Sequence, residues 1–129
     1  MNLNEFFDSL AANASRNFKI EQLEANSDNE ILREVVRLAL DPFTQFYIRK
    51  IPAYTRDDER FNTMSLGWAM NQLFSLSHRD VTGNAAIDYL SKLLGAVSED
   101  DAKVLERIVQ KDLDCGVSVS TANAVWEDL

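Results

Sequence analysis

The chain has 129 residues and one cysteine, Cys115: enough for one domain with a single core, but with no internal disulfide, which suits a reducing compartment. Its 21 acidic and 13 basic residues leave a net charge of −8, which argues against general attraction to nucleic acid, although a summed charge says nothing of its distribution. No run approaches the roughly 18 apolar residues of a membrane helix, and the opening MNLNEFFDSL has acids but no basic region, unlike a signal peptide.

In chain order, Leu3, Phe6, Phe7, Leu10, Ala11 and Ala14 follow helical spacing and predict a helix over 3–14. A short second helix fits NFKIEQLEAN. SDNEILREVVRLAL opens with capping residues, Ser27 or Asp28, with Glu30 three after Ser27, and places Ile31, Val35, Leu38 and Ala39 on one face. Asp41-Pro42 ends it, because proline disfavours helix in the residue before it. FTQFYIRKIP reads as a short helix, with a strand as the alternative, and the polar AYTRDDERFN as a loop.

TMSLGWAMNQLFSL is apolar on most sides and predicts the central buried helix despite Gly67. SHRDVTGN is a second loop. NAAIDYLSKLLGAV puts Ala86, Ile87, Leu90, Leu93 and Leu94 on one face, with Gly95 as its stop. SEDDAKVLERIVQKDL opens with Ser98 and acids in its first turn, which complements the helix dipole, and buries Val104, Leu105, Ile108, Val109 and Leu113. Gly116 ends it, and a last helix starts near Ser118 or Ser120 and runs to Trp126. The fold class expected is all-α, a single compact bundle of about six to eight helices spanning 1–129, with Cys115 as a small core residue, and Trp68 and Trp126 in the core or half-buried.

Most catalytic arrangements are absent. One histidine, His78, and no CxxC argue against a Cys/His zinc site. There is no Walker loop, no G-x-G-x-x-G, no G-x-S-x-G elbow and no Lys-x-Asp-Gly adenylation signature. Asp57-Asp58 and Asp100-Asp101 read as a solvated loop and a helix start, and His78 as a surface residue.

Two corners carry what chemistry there is: RDVTGNAA and DCGVSVSTAN. Each is a flexible turn, then hydroxyl or amide residues, then a helix start. Such a start exposes unpaired N–H groups and partial positive charge, so it binds anions without a basic side chain. Glycine lets backbone approach a phosphate oxygen closely. The same residues also serve as ordinary caps and stops, and pattern alone favours that. Basic residues gather locally at Arg49-Lys50, at Arg79, and along Lys103, Arg107 and Lys111.

RDVTGNAAIDYL followed by VLERIVQKDLDCGVSVSTANAVW resembles the N-terminal DNA-binding domain of ATP-dependent DNA ligases of the T-even bacteriophage type. The likeness runs upstream through NSDNEILREVVRLAL and FYIRKIP and covers most of the chain, the first twenty or so residues only loosely. The resemblance implies an all-helical domain that grips nicked duplex DNA across the minor groove and through phosphates, ahead of catalytic adenylyltransferase and OB-fold domains. It implies Arg79, Thr82, Gly83 and Asn84 at one corner, and Lys111, Gly116, Ser118, Ser120 and Thr121 at the other. Arg49, Lys50, Lys103 and Arg107 follow in second rank. It implies no catalytic residue, metal or cofactor in this chain, ATP and Mg2+ serving the full ligase. It further implies a monomer in the infected host's cytoplasm. Cellular ligases tend to carry a basic residue where Asp114 stands, so weight falls on Lys111 and the backbone of 116–121. The alternative reading is a helical protein-interaction module: Phe43, Phe46 and Tyr47 could dock a replication partner such as a sliding clamp.

Overall fold

Helix α7, Glu99–Val109, is the axis on which the molecule is assembled. It presents Ala102, Leu105 and Val109 on one side and Val104 and Ile108 on another, all buried. A helix apolar over so wide an arc must be covered from several directions, and α1 (Leu3–Ala11), α3 (Glu30–Leu40), α4 (Leu66–Gln72) and α6 (Gly83–Ala96) all pack on it. Helix α2 (Arg16–Ala25) lies against α1 and α8 (Val119–Asn123), and α5 (Phe74–Ser77) continues α4 after a break at Leu73. This computed structural model describes residues 2–48, 50–54 and 64–126. Among them every regular element is a helix, so the all-α class stands.

Local chemistry sets most of the boundaries. The side chains of Asn2, Ser15, Asn29, Ser65, Ser98 and Ser118 each accept a hydrogen bond from the backbone N–H three residues on. That satisfies a donor the first turn leaves orphaned. The cap of α3 is therefore Asn29, rather than Ser27 or Asp28. Its buried residues are Leu32, Val35, Val36, Leu38 and Ala39, so Val35, Leu38 and Ala39 are buried as expected while Ile31 is 40% exposed. Asp41 ends α3 in extended backbone before Pro42, as expected.

Three expectations are corrected. The 43–52 segment is neither helix nor strand where it is described: Tyr47 sits at φ +60°, which no regular element admits. The segment crosses the bundle with Phe46 in the core and is held further on by Tyr54 Oη, which donates to Glu106 at 3.2 Å. The 63–76 run is not the central helix: it splits at Leu73, and Met64 and Trp68 are 45% and 38% exposed. Gly95 is buried within α6 and does not stop it; Val97 does, in extended conformation. The loop expected over 53–62 lies outside the described residues from 55 onward, as does Arg49.

Candidate nucleic-acid interface

Between the 45–48 segment, the loop before α6 and the turn after α7 lies an open cleft of about 870 Å³. Tyr47, Arg79 and Lys111 line it, and all three have left-handed backbone, at φ +60°, +59° and +59°. Among the described residues only one other non-glycine, Asp114 at +53°, shares that conformation. Such residues cost energy and persist where the surroundings over-determine them. Here they turn three chain segments inward onto one surface. The Arg79 guanidinium lies 4.4 Å above the centre of the Tyr47 ring, an arrangement that fixes the cation while leaving it exposed.

A smaller hollow joins Tyr47 and Arg79 to Thr82 and Gly83 at the start of α6. This helix start differs from the six side-chain-capped ones. Thr82 occupies the cap position in extended backbone, but its side chain makes no capping bond. Gly83 sits at φ +61°, and a Cβ there would meet nothing within 4 Å. Thr82, Gly83 and Asn84 are all exposed. The first turn of a 14-residue helix therefore presents its N–H groups and a threonine hydroxyl to solvent beside Arg79. Those groups can accept an anion.

The second corner is built differently. Ser118 caps α8, accepting from Thr121 N–H at 3.3 Å, and its Oγ stands 3.1 Å from Ser120 Oγ and 3.2 Å from Thr121 Oγ1. Thr121 is buried, whereas Ser118 and Ser120 are exposed. Gly116, at φ +76°, is exposed too. Lys111 is drawn inward: its ammonium donates to the carbonyls of Leu38 and Asp41, tying the turn to the end of α3, and lies over the Phe46 ring. Burial pushes it below the usual lysine range, with Asp41 opposing. Arg107 is likewise engaged internally, by the Leu113 carbonyl, Asn4 Oδ1 at 3.3 Å and Asp8 Oδ1 at 2.8 Å. Lys103 is exposed but shares a hollow with Asp8, Glu106, Asp112 and Asp114, an acidic rim that disfavours phosphate. Lys50 is exposed at the end of the crossing segment.

The structure thus brings Arg79 and Lys111 to one cleft, with Thr82 and Gly83 at its edge, and leaves Lys103 and Arg107 on an acidic face. Two residues escaped the sequence reading. Tyr47 was assigned to protein docking, yet its ring holds Arg79. Lys19 lies buried beside Gly116; its one sequence signal is that it stands four residues before Leu23, on the face of α2 that is buried. Cys115 is buried as expected, and burial pushes its thiol up, away from reactivity. Among the described residues no group of three or more His, Cys, Asp or Glu could hold a metal ion, and no helix is long and apolar enough to cross a membrane.

A helical domain with an exposed cation-and-amide edge on a cleft is the class that fold and site define. No protein-family model matches the chain. Two solved structures, Pmar-Lig_PreS3 and Pmar-Lig_Pre., share its fold with TM-scores of 0.86 and 0.85 at 24% identity, over 97% of this chain and 29% of each of theirs. The sequence is 41% identical over 108 residues to the DNA ligase of Enterobacteria phage T4, and equally to that of Enterobacteria phage T6. The match takes in 83% of this chain and 22% of each ligase, so the chain spans about a fifth of the relatives it matches. The resemblance read from the sequence therefore stands: this chain is similar, over most of its length, to one part of the T-even phage DNA ligases.

Proposed function

We propose that this chain is the DNA-holding domain of a phage-type ATP-dependent DNA ligase, and that it binds nicked duplex DNA through phosphates at the minor groove without reading bases. The observation that carries this reading is the α6 corner: an uncapped helix start, opened by Gly83, beside an exposed Arg79 steadied on Tyr47. An acidic chain can hold DNA there because the contact is local and much of it comes from backbone dipoles. Thr82, Gly83 and Asn84 would meet one phosphate and Arg79 the next, with the exposed Lys50 as a further phosphate contact. The second corner contributes Gly116, Ser118 and Ser120. In this proposal Lys111 supports the cleft wall rather than reaching out, because its ammonium already serves two carbonyls. Chemistry, with ATP and Mg2+, belongs to the rest of the ligase, and this chain needs no cofactor of its own.

The test is fluorescence anisotropy against nicked and intact duplexes across a salt series. Affinity should fall steeply with salt, with a log–log slope of roughly −0.9 per phosphate neutralised, and Arg79→Ala should lower that slope by about 0.9. An affinity indifferent to salt sinks the reading. A second reading, docking of a replication partner such as a sliding clamp, is favoured by Phe43, which is 94% exposed. Phe46 plays no part in it, being buried. A pull-down with and without nuclease separates the two.

A further inference from the structure

Lys19 is the one lysine among the described residues that is buried, at 8% exposure, and its ammonium makes no ion pair or hydrogen bond to any other described residue. It rises from α2, which packs on α8, and brings its ammonium to the Gly116 corner. The contact is so close that a Cβ on Gly116 would stand 2.4 Å from Nζ. Gly116 is itself exposed, in left-handed backbone at φ +76°. The missing side chain therefore leaves an opening from solvent to a charge that the rest of the fold covers.

Physically the arrangement is incomplete. A cation taken out of water is unfavourable unless an anion or hydrogen bonds meet it. Arg107, the other cation at this corner, has three acceptors; Lys19 has none. The chain carries 21 acidic residues, and none of the described ones is placed against it. The N–H groups of Gly116 and Ser118 also make no hydrogen bond among the described residues, and the Ser120 side chain is exposed beside them. One ammonium, two amides and a hydroxyl around an open glycine match a tetrahedral oxyanion.

We propose that Lys19, Gly116, Ser118 and Ser120 form a phosphate subsite that takes one backbone phosphodiester of the bound duplex, separate from the α6 corner. The inference rests on the DNA-holding reading above for the source of the phosphate, and on Lys19 alone for the existence of the site. Gly116 then has a reason beyond its backbone angle: any side chain there would lie across the ammonium.

The test uses two arms on the 129-residue chain, with wild type, Lys19→Met and Gly116→Asn. Methionine keeps an unbranched apolar stem without the charge, and asparagine tolerates left-handed backbone while covering the opening. In the first arm, duplex affinity is measured against salt. Each variant should bind roughly three- to tenfold more weakly near physiological salt, with a log–log slope smaller by about 0.9. In the second arm, inorganic phosphate is compared with chloride at matched ionic strength. Phosphate should raise the melting temperature of the wild type by clearly more than that of Lys19→Met, which keeps only the α6 corner. Slopes and melting shifts equal to wild type in Lys19→Met overturn the subsite. Should Lys19→Met fail to fold, Gly116→Asn decides on the same readouts. Should the wild type bind no duplex at any salt, the DNA-holding reading fails. The phosphate arm then decides alone: a shift that Lys19→Met reduces keeps the subsite, and equal shifts remove it.

Discussion

The two helix starts at Thr82 and Ser118 are written in nearly the same residues and fold to opposite ends. Both follow a turn, both contain a left-handed glycine, and both are rich in hydroxyls and amides. At Thr82 the hydroxyl caps nothing and Gly83 faces open space. At Ser118 the hydroxyl caps α8, its neighbours bond to it, and the ammonium of a lysine from another helix lies against the glycine. At the first corner nothing packs against the glycine; at the second, α2 and α7 bring Lys19 and Arg107 in beneath a glycine that is itself exposed. Whether such a motif is a cap or an anion site is decided by side chains that are remote in sequence.

That contrast can be broken most strongly at Arg107. Its guanidinium is the sole described side-chain donor to the Leu113 carbonyl and joins α7 to α1 through Asn4 and Asp8, over the Phe7 ring. Arg107→Ala should lower stability by about 2–3 kcal/mol, because it strands a carbonyl and removes charged hydrogen bonds from a largely covered site. Denaturant unfolding checks this, and a loss under about 0.5 kcal/mol would mean that the corner holds its shape without it. The next effect sharpens the open corner. Gly83→Asp places a carboxylate in empty space at a backbone angle aspartate tolerates. The fold should survive while duplex affinity drops about tenfold or more through repulsion of phosphate, near 1.4 kcal/mol. Gly116→Asp, by contrast, sets its carboxylate against the Lys19 ammonium and should fold with that pair formed. If Gly83→Asp binds like wild type, the α6 start is not in the interface.

The difference between the corners also marks what could be read from the sequence. The helices were legible because caps and periodicity are local: Ser98 and Ser118 cap as expected, and the buried face of α7 is the one that spacing predicts. The crossing segment was not, since a tyrosine at φ +60° has no signature in neighbouring residues and is held there by Phe46 in the core and Arg79 against its ring. For the site, residue type singled out two corners but could not tell a free cation from an engaged one. Arg79 and Lys111 look alike as sequence. One stacks on a tyrosine at the surface, and the other ties the 108–112 turn to α3 across some seventy residues of chain. Lys19 escaped because its meaning depends on a glycine nearly a hundred residues away.

The smallest expected effect concerns that tie. Asp41 accepts from Phe43 N–H and from Thr44 Oγ1, each at 2.9 Å, and faces Lys111 and Arg37. The backbone bond from Phe43 is the foremost cause holding its carboxyl below the ordinary carboxylate range, with the Thr44 bond next. The folded state therefore keeps the charge to lower pH than the unfolded chain does. Its stabilisation is complete above the unfolded value, near 3.9, and is lost as pH falls through the lowered folded value. Asp41→Asn retains an acceptor for Phe43 but loses the charge. Above about pH 5 it should melt roughly 2 °C below wild type, an effect kept small by the half-exposed position. The gap should close as the pH is lowered from about 4 toward 2, because wild type then loses what the variant never had. A gap constant over that range would show that the carboxylate orders the end of α3 by shape alone. The wall of the cleft that carries Lys111 would then be insensitive to charge, in contrast to the open corner across from it.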